Sequence, residues 1–258
     1  MTSHLLDLDS LFHRSKERIL ELGEVFTPEK FVGDMLDLVS KGKKNFWSNE
    51  HLSFFEPTCG HGNIVCLIFL RRLEGFYKKA VSKKIKSPHL YAIANSINTL
   101  WAMDIDAKNI EHCRLRLMQL TLQFLKDKTG ISSEYKLLKD NQTFFIHFFC
   151  ALIWQIQENE MISSLSQHKH SSKTKIGEKW VQENGHNPIN FNITWVTHYN
   201  TCEANGIKPL EYRRSEKLIS LMLSGNIEEY PGFEFAKCII PDSHWDSSLD
   251  PKNFVIAA

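Results

Sequence analysis

A short stretch near residue 60 places an acid and two closely spaced glycines between two apolar runs. Glu56 ends the first run, Gly60 and Gly62 follow, and the second run begins at Ile64. The pattern predicts a buried strand, a tight turn and a helix that starts at the turn. Glycine lets a ligand approach the backbone, and the first helical N–H groups point at that ligand. A carboxylate here favours a ligand with hydroxyls or a positive charge, although any tight turn can hold two glycines.

Two acids end a second apolar stretch, residues 99–106, which precedes a predicted helix over residues 109–125. In a Rossmann-like sheet the acid at the end of the second strand binds ribose hydroxyls, because a carboxylate accepts two hydrogen bonds. Asp104 has the right place for this role, and Asp106 is expected to cap the next helix. An aspartate of an ordinary surface turn is the alternative for Asp104.

The N-terminal part of the chain predicts two helices. Residues 5–22 carry apolar side chains at helical spacing with charges between them, which predicts an amphipathic helix. Thr27 can cap a second helix with Pro28 at its first position. An apolar stripe then continues this helix at three-and-four spacing: Phe31, Val32, Met35, Leu36 and Val39.

Three motifs together resemble those of a known enzyme family. Residues 56–62, Glu-Pro-Thr-Cys-Gly-His-Gly, resemble the S-adenosylmethionine-binding loop of class I methyltransferases, in the form typical of N6-adenine DNA methyltransferases. Residues 23–28, Gly-Glu-Val-Phe-Thr-Pro, resemble the motif that precedes this loop in many members. Residues 102–106 resemble the family's Gly-x-Asp-Ile-Asp pattern, with Ala102 in the position of the glycine.

The resemblance implies an α/β protein with a Rossmann-like class I methyltransferase fold, helices on both faces of the sheet, and a helical N-terminal extension. It also implies S-adenosylmethionine as the cofactor. Asp104 would hold the ribose and Ile105 would pack on the adenine, while Thr27 and Pro28 would border the methyl donor. The residues that the resemblance assigns to the cofactor are Thr27, Pro28, Glu56, Pro57, Cys59, Gly60, Gly62, Asn63, Asp104, Ile105 and Glu160.

The assignment of Glu160 rests on an incomplete match. In the family a later strand ends in a Gly-Asp-type pair, whose acid binds the adenine amine of the cofactor. The chain has no such pair, and Glu160 is its nearest counterpart, with Asp140 as a rival. A solvated helix end is the alternative for Glu160.

The catalytic motif of the family, Asp/Asn/Ser-Pro-Pro-Tyr/Phe, also has only a partial counterpart. Its polar oxygen and a backbone carbonyl accept the hydrogens of the target amine, and its aromatic ring stacks on the flipped base. Asn187, Pro188 and Phe191 supply these residue types, but Ile189 replaces the second proline and Asn190 is interposed. An Asn-Pro turn is the alternative. Residues 191–196 predict a strand that follows the motif rather than delivering it.

Charge and composition limit the partners. The 258 residues carry a formal net charge of +1, so DNA contacts must rest on a local patch. Four lysines of a basic segment, Lys78, Lys79, Lys83 and Lys84, could contact phosphates, although a solvated helix face is the commoner meaning of such a run. No stretch predicts a membrane span or a metal site, and six cysteines without a Cys-x-x-Cys pair indicate reduced thiols in a cytoplasmic protein.

The predicted organisation has three parts. Residues 1–45 form the helical extension, residues 46–225 form the methyltransferase domain with insertions near 75–98 and 163–186, and residues 226–258 form an irregular C-terminal segment. Within the domain, residues 87–98 are predicted as a loop and residues 132–141 as a linker. Residues 143–157 are predicted as a buried helix, part of which could be a strand.

These observations predict an S-adenosylmethionine-dependent methyltransferase that acts on adenine N6 in DNA. The incomplete catalytic motif favours an alternative, a catalytically degenerate binding subunit of a restriction–modification or defence assembly. Such a subunit would work with a separate recognition or catalytic subunit. A methyltransferase that acts on RNA, protein or a small molecule is a third possibility, since fold-level likeness does not fix the substrate.

Overall fold

Three short parallel strands form the sheet of the protein in the computed structural model, which describes residues 29–166, 171 and 173–224. The strands are β1 (Phe54–Glu56), β2 (Leu100–Asp104) and β3 (Ile156–Glu158), in the spatial order β1-β2-β3. Phe55 pairs with Trp101, and Met103 pairs with Gln157. Because parallel neighbours need long crossovers, the chain between the strands is helical. The protein is therefore mixed α/β and mostly helical.

Helices precede, connect and follow the three strands. Helix α1 (Glu29–Ser40) and a 3₁₀ helix (Phe46–Ser48) precede β1, and α2 (Asn63–Ser82) and α3 (Pro88–Asn98) connect β1 to β2. Helices α4 (Ala107–Thr129), α5 (Glu134–Asp140) and α6 (Gln142–Gln155) connect β2 to β3. The described chain then continues with α7 (Met161–Leu165), α8 (Lys175–Asn184), α9 (Trp195–Ala204) and α10 (Leu210–Ser224).

The two faces of the sheet are covered differently: one packs on the main helical core, and the other is covered by a thinner layer of residues. Side chains alternate between the two faces of a strand, and Leu100 and Ala102 of β2 lie in the main apolar core, to which α1 to α6, α9 and α10 contribute. Trp101 and Met103 point the other way. The ring of Trp101 packs against Phe191, and Met103 Sδ lies 3.1 Å from the hydroxyl of Ser164 in α7. An irregular segment around residues 187–193 thus crosses this second face.

The predicted loop over residues 87–98 is wrong, because these residues form α3. Pro88 occupies the first turn of this helix, where its missing N–H costs nothing, and Ser87 takes a positive φ of 53° before it. Ala92, Ile93 and Ile97 are fully or almost fully buried. Burial of this face, rather than the weak local pattern, stabilises the helix.

The predicted linker over residues 132–141 is also wrong, because it contains α5. Ser133 caps this helix by accepting a hydrogen bond from the backbone N–H of Lys136. Leu137 and Leu138 are both fully buried. Two adjacent leucines in a polar stretch show no helical periodicity, so the sequence pattern did not predict this helix or its buried side. The long segment after it splits into α6 and β3, as the sequence allowed.

The strand predicted over residues 191–196 is wrong as well. Phe191 lies in a turn, and α9 begins at Trp195. Thr194 caps α9 by accepting a hydrogen bond from the backbone N–H of Thr197. Trp195 is fully buried and anchors the start of α9. The segment therefore has one buried anchor rather than the alternating buried and exposed side chains of a strand.

Helix α1 forms where the sequence predicted a helix, but only part of its apolar stripe is buried. Val32 and Leu36 are buried in the main core, whereas Phe31 is 66% exposed and Met35 and Val39 are 42% and 46% exposed. Arg71 of α2 links the two helices by donating a hydrogen bond to the carbonyl oxygen of Gly33 in α1 at 3.1 Å. In the described ranges no helix is both long and apolar enough to cross a membrane.

Some predicted features lie outside the described residues. They are the cap at Thr27 and Pro28, the amphipathic segment 5–22 and the C-terminal segment 226–258.

Candidate functional site

The glycine turn after β1 has the predicted order of strand, turn and helix. The strand is half-buried rather than buried, because β1 is at one edge of the described sheet. Gly60 and Gly62 take positive φ values of 53° and 93°, a conformation that side chains with Cβ rarely adopt. The backbone N–H of Gly62 donates to the carbonyl oxygen of Cys59 at 2.9 Å, which closes the turn. Gly62 then precedes the 20 residues of α2, so the N-terminal end of that helix lies at the turn.

Asp104 at the end of β2 closes the turn from the neighbouring strand. Its Oδ2 accepts a hydrogen bond from the backbone N–H of Gly60 at 2.8 Å. Its Oδ1 accepts from the backbone N–H of Asp106 at 2.9 Å and from the side-chain amide of Asn109 at 3.1 Å. Asp106 itself caps α4, as expected, by accepting from the N–H of Lys108. The carboxylate of Asp104 is thus oriented by three donors.

These contacts limit what Asp104 can offer to a ligand. Each carboxylate oxygen has two lone pairs. Oδ1 uses both for Asp106 and Asn109, whereas Oδ2 uses one for Gly60. One acceptor position on Oδ2 therefore remains, enough for one hydroxyl and not for the pair that the sequence analysis assigned to this carboxylate.

Helix α4 lies directly beneath the glycine turn and supports it with side chains that the sequence analysis did not select. The added Cβ of an alanine at Gly62 would lie 2.6 Å from Cys113 Sγ, so thiol and turn are in close contact. Arg116 is 5% exposed, and its Nη1 donates to the carbonyl oxygen of His61 at 3.1 Å and to Asn63 Oδ1 at 2.6 Å. Helical spacing places Asn109, Cys113 and Arg116 on one face.

Burial shapes the electrostatics of the turn. Loss of water raises the pKa of the Glu56 carboxyl, against a smaller opposing effect of the N–H of Thr58, which donates to Oε1 at 3.3 Å. A hydrogen bond with Cys113 and burial raise the pKa of the Cys59 thiol. Both thiols are buried, and the raised pKa of Cys59 keeps that thiol protonated, so it serves as a packing group rather than a nucleophile. Glu56 keeps a carboxyl group in a partly dehydrated place beside the turn.

The end of β3 reaches the same edge of the sheet. The backbone N–H of Asn159 donates to the carbonyl oxygen of Asp104 at 2.9 Å. Glu160 is 3% exposed and caps α7, because its Oε2 accepts from the N–H of Ser163 at 2.8 Å. Its carboxylate is therefore engaged in the protein. The rival, Asp140, is the last residue of α5 and follows no strand.

Asn187 lies beside β3 and not on a strand next to β1. The side-chain amide of Asn159 donates to the backbone carbonyl of Asn187 at 2.9 Å, while the side chain of Asn187 is exposed and reaches the carbonyl of Asn184 at 3.4 Å. Pro188 is exposed. The ring of Phe191 packs against Phe55 and Trp101, with centroids 4.8 and 5.3 Å away. Phe191 thus covers the sheet and is not free to stack on a base.

The structure therefore brings together one part of the predicted site. The turn residues, Asp104, Ile105 and the end of β3 meet at the carboxyl edge of the sheet, and the backbone of Asn187 adjoins them. The four lysines lie at the other end of α2. Lys79 is paired with Glu50 and donates to the carbonyl of Ser48. Within the described part of the chain, no three His, Cys, Asp or Glu side chains are grouped to hold a metal ion.

Comparison with known proteins identifies no relative: no protein-family model, no curated protein and no solved structure matches the chain.

Proposed function

We propose that the chain binds S-adenosylmethionine at the carboxyl edge of its sheet and is an N6-adenine DNA methyltransferase with a Rossmann-like class I core. The observation that carries the proposal is the hydrogen bond from the N–H of Gly60 to Asp104, which joins the glycine turn of β1 to the acid of β2. In doubly wound folds, ligands bind outside the carboxyl ends of the strands. The order β1-β2-β3 agrees with one half of such a fold.

The residues at this edge suit a sulfonium nucleoside. Gly60 has a positive φ and no side chain, so a ligand can approach the backbone of the turn there. The space beside the Cα of Gly62 is filled instead by Cys113. The remaining acceptor on Asp104 Oδ2 suits one ribose hydroxyl, and Glu56 supplies negative charge for a cationic ligand. An anionic phosphate would meet two carboxylates here. When bound, S-adenosylmethionine supplies an activated methyl group, and the chain supplies position and charge complementarity.

Isothermal titration tests the binding step. We expect S-adenosylmethionine to bind the wild type, ATP to bind much more weakly, and Asp104→Ala to weaken S-adenosylmethionine binding about 10-fold or more, as expected for loss of a hydrogen bond to a charged group. Lys139→Ala on α5 is the matched surface control and should bind as the wild type does. No heat of binding with the folded wild type, or equal affinity of Asp104→Ala, would reject the proposal.

A second candidate is a binding subunit without its own transferase activity. Two observations favour it: Phe191 is packed against Phe55 and Trp101, and β1 has a neighbour on one side only among the described strands. A partner subunit would then supply the aromatic group or the missing strand.

Transfer of labelled methyl groups to unmethylated DNA separates the two candidates. Incorporation by the purified chain that is lost in Asn187→Ala supports the enzyme. The binding role is supported if the chain binds the cofactor but incorporates no methyl groups by itself, and incorporation appears once a second subunit is added.

A further inference from the structure

We infer that Arg116 is the positioning residue of the glycine turn and sets the affinity for the nucleoside cofactor without touching it. This inference rests on the proposed cofactor function and deepens it. Arg116 lies on α4, the helix after β2, whereas the turn follows β1. Its contacts with the turn link residues that are 53 and 55 positions apart in the sequence.

The first step of the argument is the geometry of the guanidinium. One nitrogen, Nη1, donates both to the carbonyl oxygen of His61 and to Asn63 Oδ1. The first acceptor lies between the two glycines and the second lies on the first residue of α2. Arg116 therefore fixes the turn on both sides of Gly62. A charged donor makes such bonds stronger than neutral ones.

The second step is the difficulty of holding this turn by other means. Glycine is the residue with the most backbone freedom, so two glycines within three residues leave a turn that is costly to order. Ordering it at the moment of binding would reduce the affinity for a ligand. Arg116, with Asn109 holding Asp104 and Cys113 packed against Gly62, orders the turn in advance.

The third step is a neighbour that provides a matched control. Arg114 lies on the same helix and is 6% exposed, close to the 5% of Arg116. Its hydrogen bonds go to the carbonyl oxygens of Ile153 and Ile156, next to and at the start of β3, and not to the turn. Substituting Arg114 therefore removes an equally buried guanidinium without changing the support of Gly62.

The experiment compares Arg116→Lys with Arg114→Lys in two measurements. Lysine keeps the positive charge, but its side chain is one bond shorter, so its ammonium ends short of the position from which Nη1 makes both bonds. Titration with S-adenosylmethionine should show about 10-fold weaker binding for Arg116→Lys and less than about 2-fold for Arg114→Lys, at similar loss of thermal stability. Hydrogen exchange without cofactor should be faster in residues 59–63 of Arg116→Lys and unchanged there in Arg114→Lys. Asn63→Ala, which removes one acceptor and no buried charge, should show the same effects more weakly.

The outcomes separate the inference from the proposed function. If both arginine variants lose affinity in proportion to their loss of stability, Arg116 has only a structural role and the inference is overturned. Wild-type protein that binds no S-adenosylmethionine rejects the proposed function. In that case exchange in residues 59–63 decides whether Arg116 orders the turn. Unchanged exchange in Arg116→Lys and in Asn63→Ala overturns the inference in every case.

Discussion

The glycine at position 62 is required for two separate reasons, both of which a substitution can measure. Gly62→Ala introduces a Cβ at a φ of 93° and 2.6 Å from Cys113 Sγ. We expect it to lower the free energy of unfolding by about 2–5 kcal/mol, from backbone strain of about 1–2 kcal/mol and overpacking of about 1–3 kcal/mol. Denaturant unfolding measures the change.

Gly130→Ala isolates the backbone part of that loss. Gly130 has a φ of 71° and nothing within 4 Å of an added Cβ, so only strain remains. Its loss should therefore be about 1–2 kcal/mol. An equal loss in both variants would show that Cys113 moves aside without cost, and that α4 does not constrain the turn.

Glu56 is expected to lower the stability of the protein at neutral pH and to strengthen its binding of S-adenosylmethionine. Burial raises the pKa of its carboxyl above the ordinary 4.5, so the folded state holds the proton more tightly than the unfolded state. Stability therefore falls as pH rises from that value through the raised pKa, and the loss is complete above it. We expect Glu56→Gln to be more stable than the wild type near pH 7, equal to it at about pH 4, and weaker in binding S-adenosylmethionine.

Urea unfolding at both pH values tests the effect on stability, and isothermal titration with S-adenosylmethionine tests the effect on binding. Glu74→Gln, an exposed acid on α2, should show neither the gain in stability nor the loss of binding. A Glu56→Gln protein that is less stable at neutral pH would mean that the carboxylate is favoured where it lies.

At the scale of elements, the 3₁₀ helix is packed so closely on α2 that a helix-stabilising substitution should destabilise the protein. An added Cβ at Gly75 would lie 2.7 Å from the carbonyl oxygen of Trp47. Trp47 in turn stacks on Phe54 of β1, with centroids 5.5 Å apart. Gly75→Ala should gain about 1 kcal/mol in helix propensity but lose about 1–3 kcal/mol to overpacking, a net loss of at most about 2 kcal/mol.

Gly33→Ala is the matched control, because Gly33 also lies inside a helix and its nearest neighbour would be 4.0 Å away. It should stabilise the protein by about 0.5–1 kcal/mol. Thermal unfolding of both variants measures the contrast. A gain in both would mean that the 3₁₀ helix adjusts freely and does not fix β1.

The elements that could be predicted from the sequence are those with a local signal. The turn was visible because Gly60 and Gly62 break two apolar runs, and α4 was visible because of its long apolar period. Helix α5 was not visible, since its core side is only Leu137 and Leu138. The support of the turn was not visible either, because the contact between Arg116 and Asn63 joins distant positions. Residue type and spacing thus predicted the glycine turn and the acid after β2, and only packing of α4 on the turn showed how the turn is held.

At the scale of the whole molecule, the candidate cofactor site and the basic segment lie at opposite ends of one helix. Helix α2 starts at the turn and is about 30 Å long, given its 20 residues. Lys83 and Lys84 are exposed just beyond its last residue. If these lysines contact phosphates, the duplex must run along α2 to bring a base to the turn.

This separation predicts that DNA binding and cofactor binding can be changed independently. We expect the double substitution Lys83→Glu and Lys84→Glu to weaken binding of duplex DNA and to reduce the dependence of log K on log salt by about two, because each lost phosphate contact contributes about 0.9. Affinity for S-adenosylmethionine should stay the same. Fluorescence anisotropy at several salt concentrations and isothermal titration are the two measurements.

The control is Lys136→Glu with Lys139→Glu, which makes the same change in net charge on α5, where both lysines are exposed. With a net charge of only +1, a general loss of positive charge could by itself weaken DNA binding. The two pairs would then behave alike, and the segment after α2 would be an ordinary solvated surface. Weakening confined to Lys83 and Lys84 would instead place the duplex along α2, since only that end of the helix would carry the phosphate contacts.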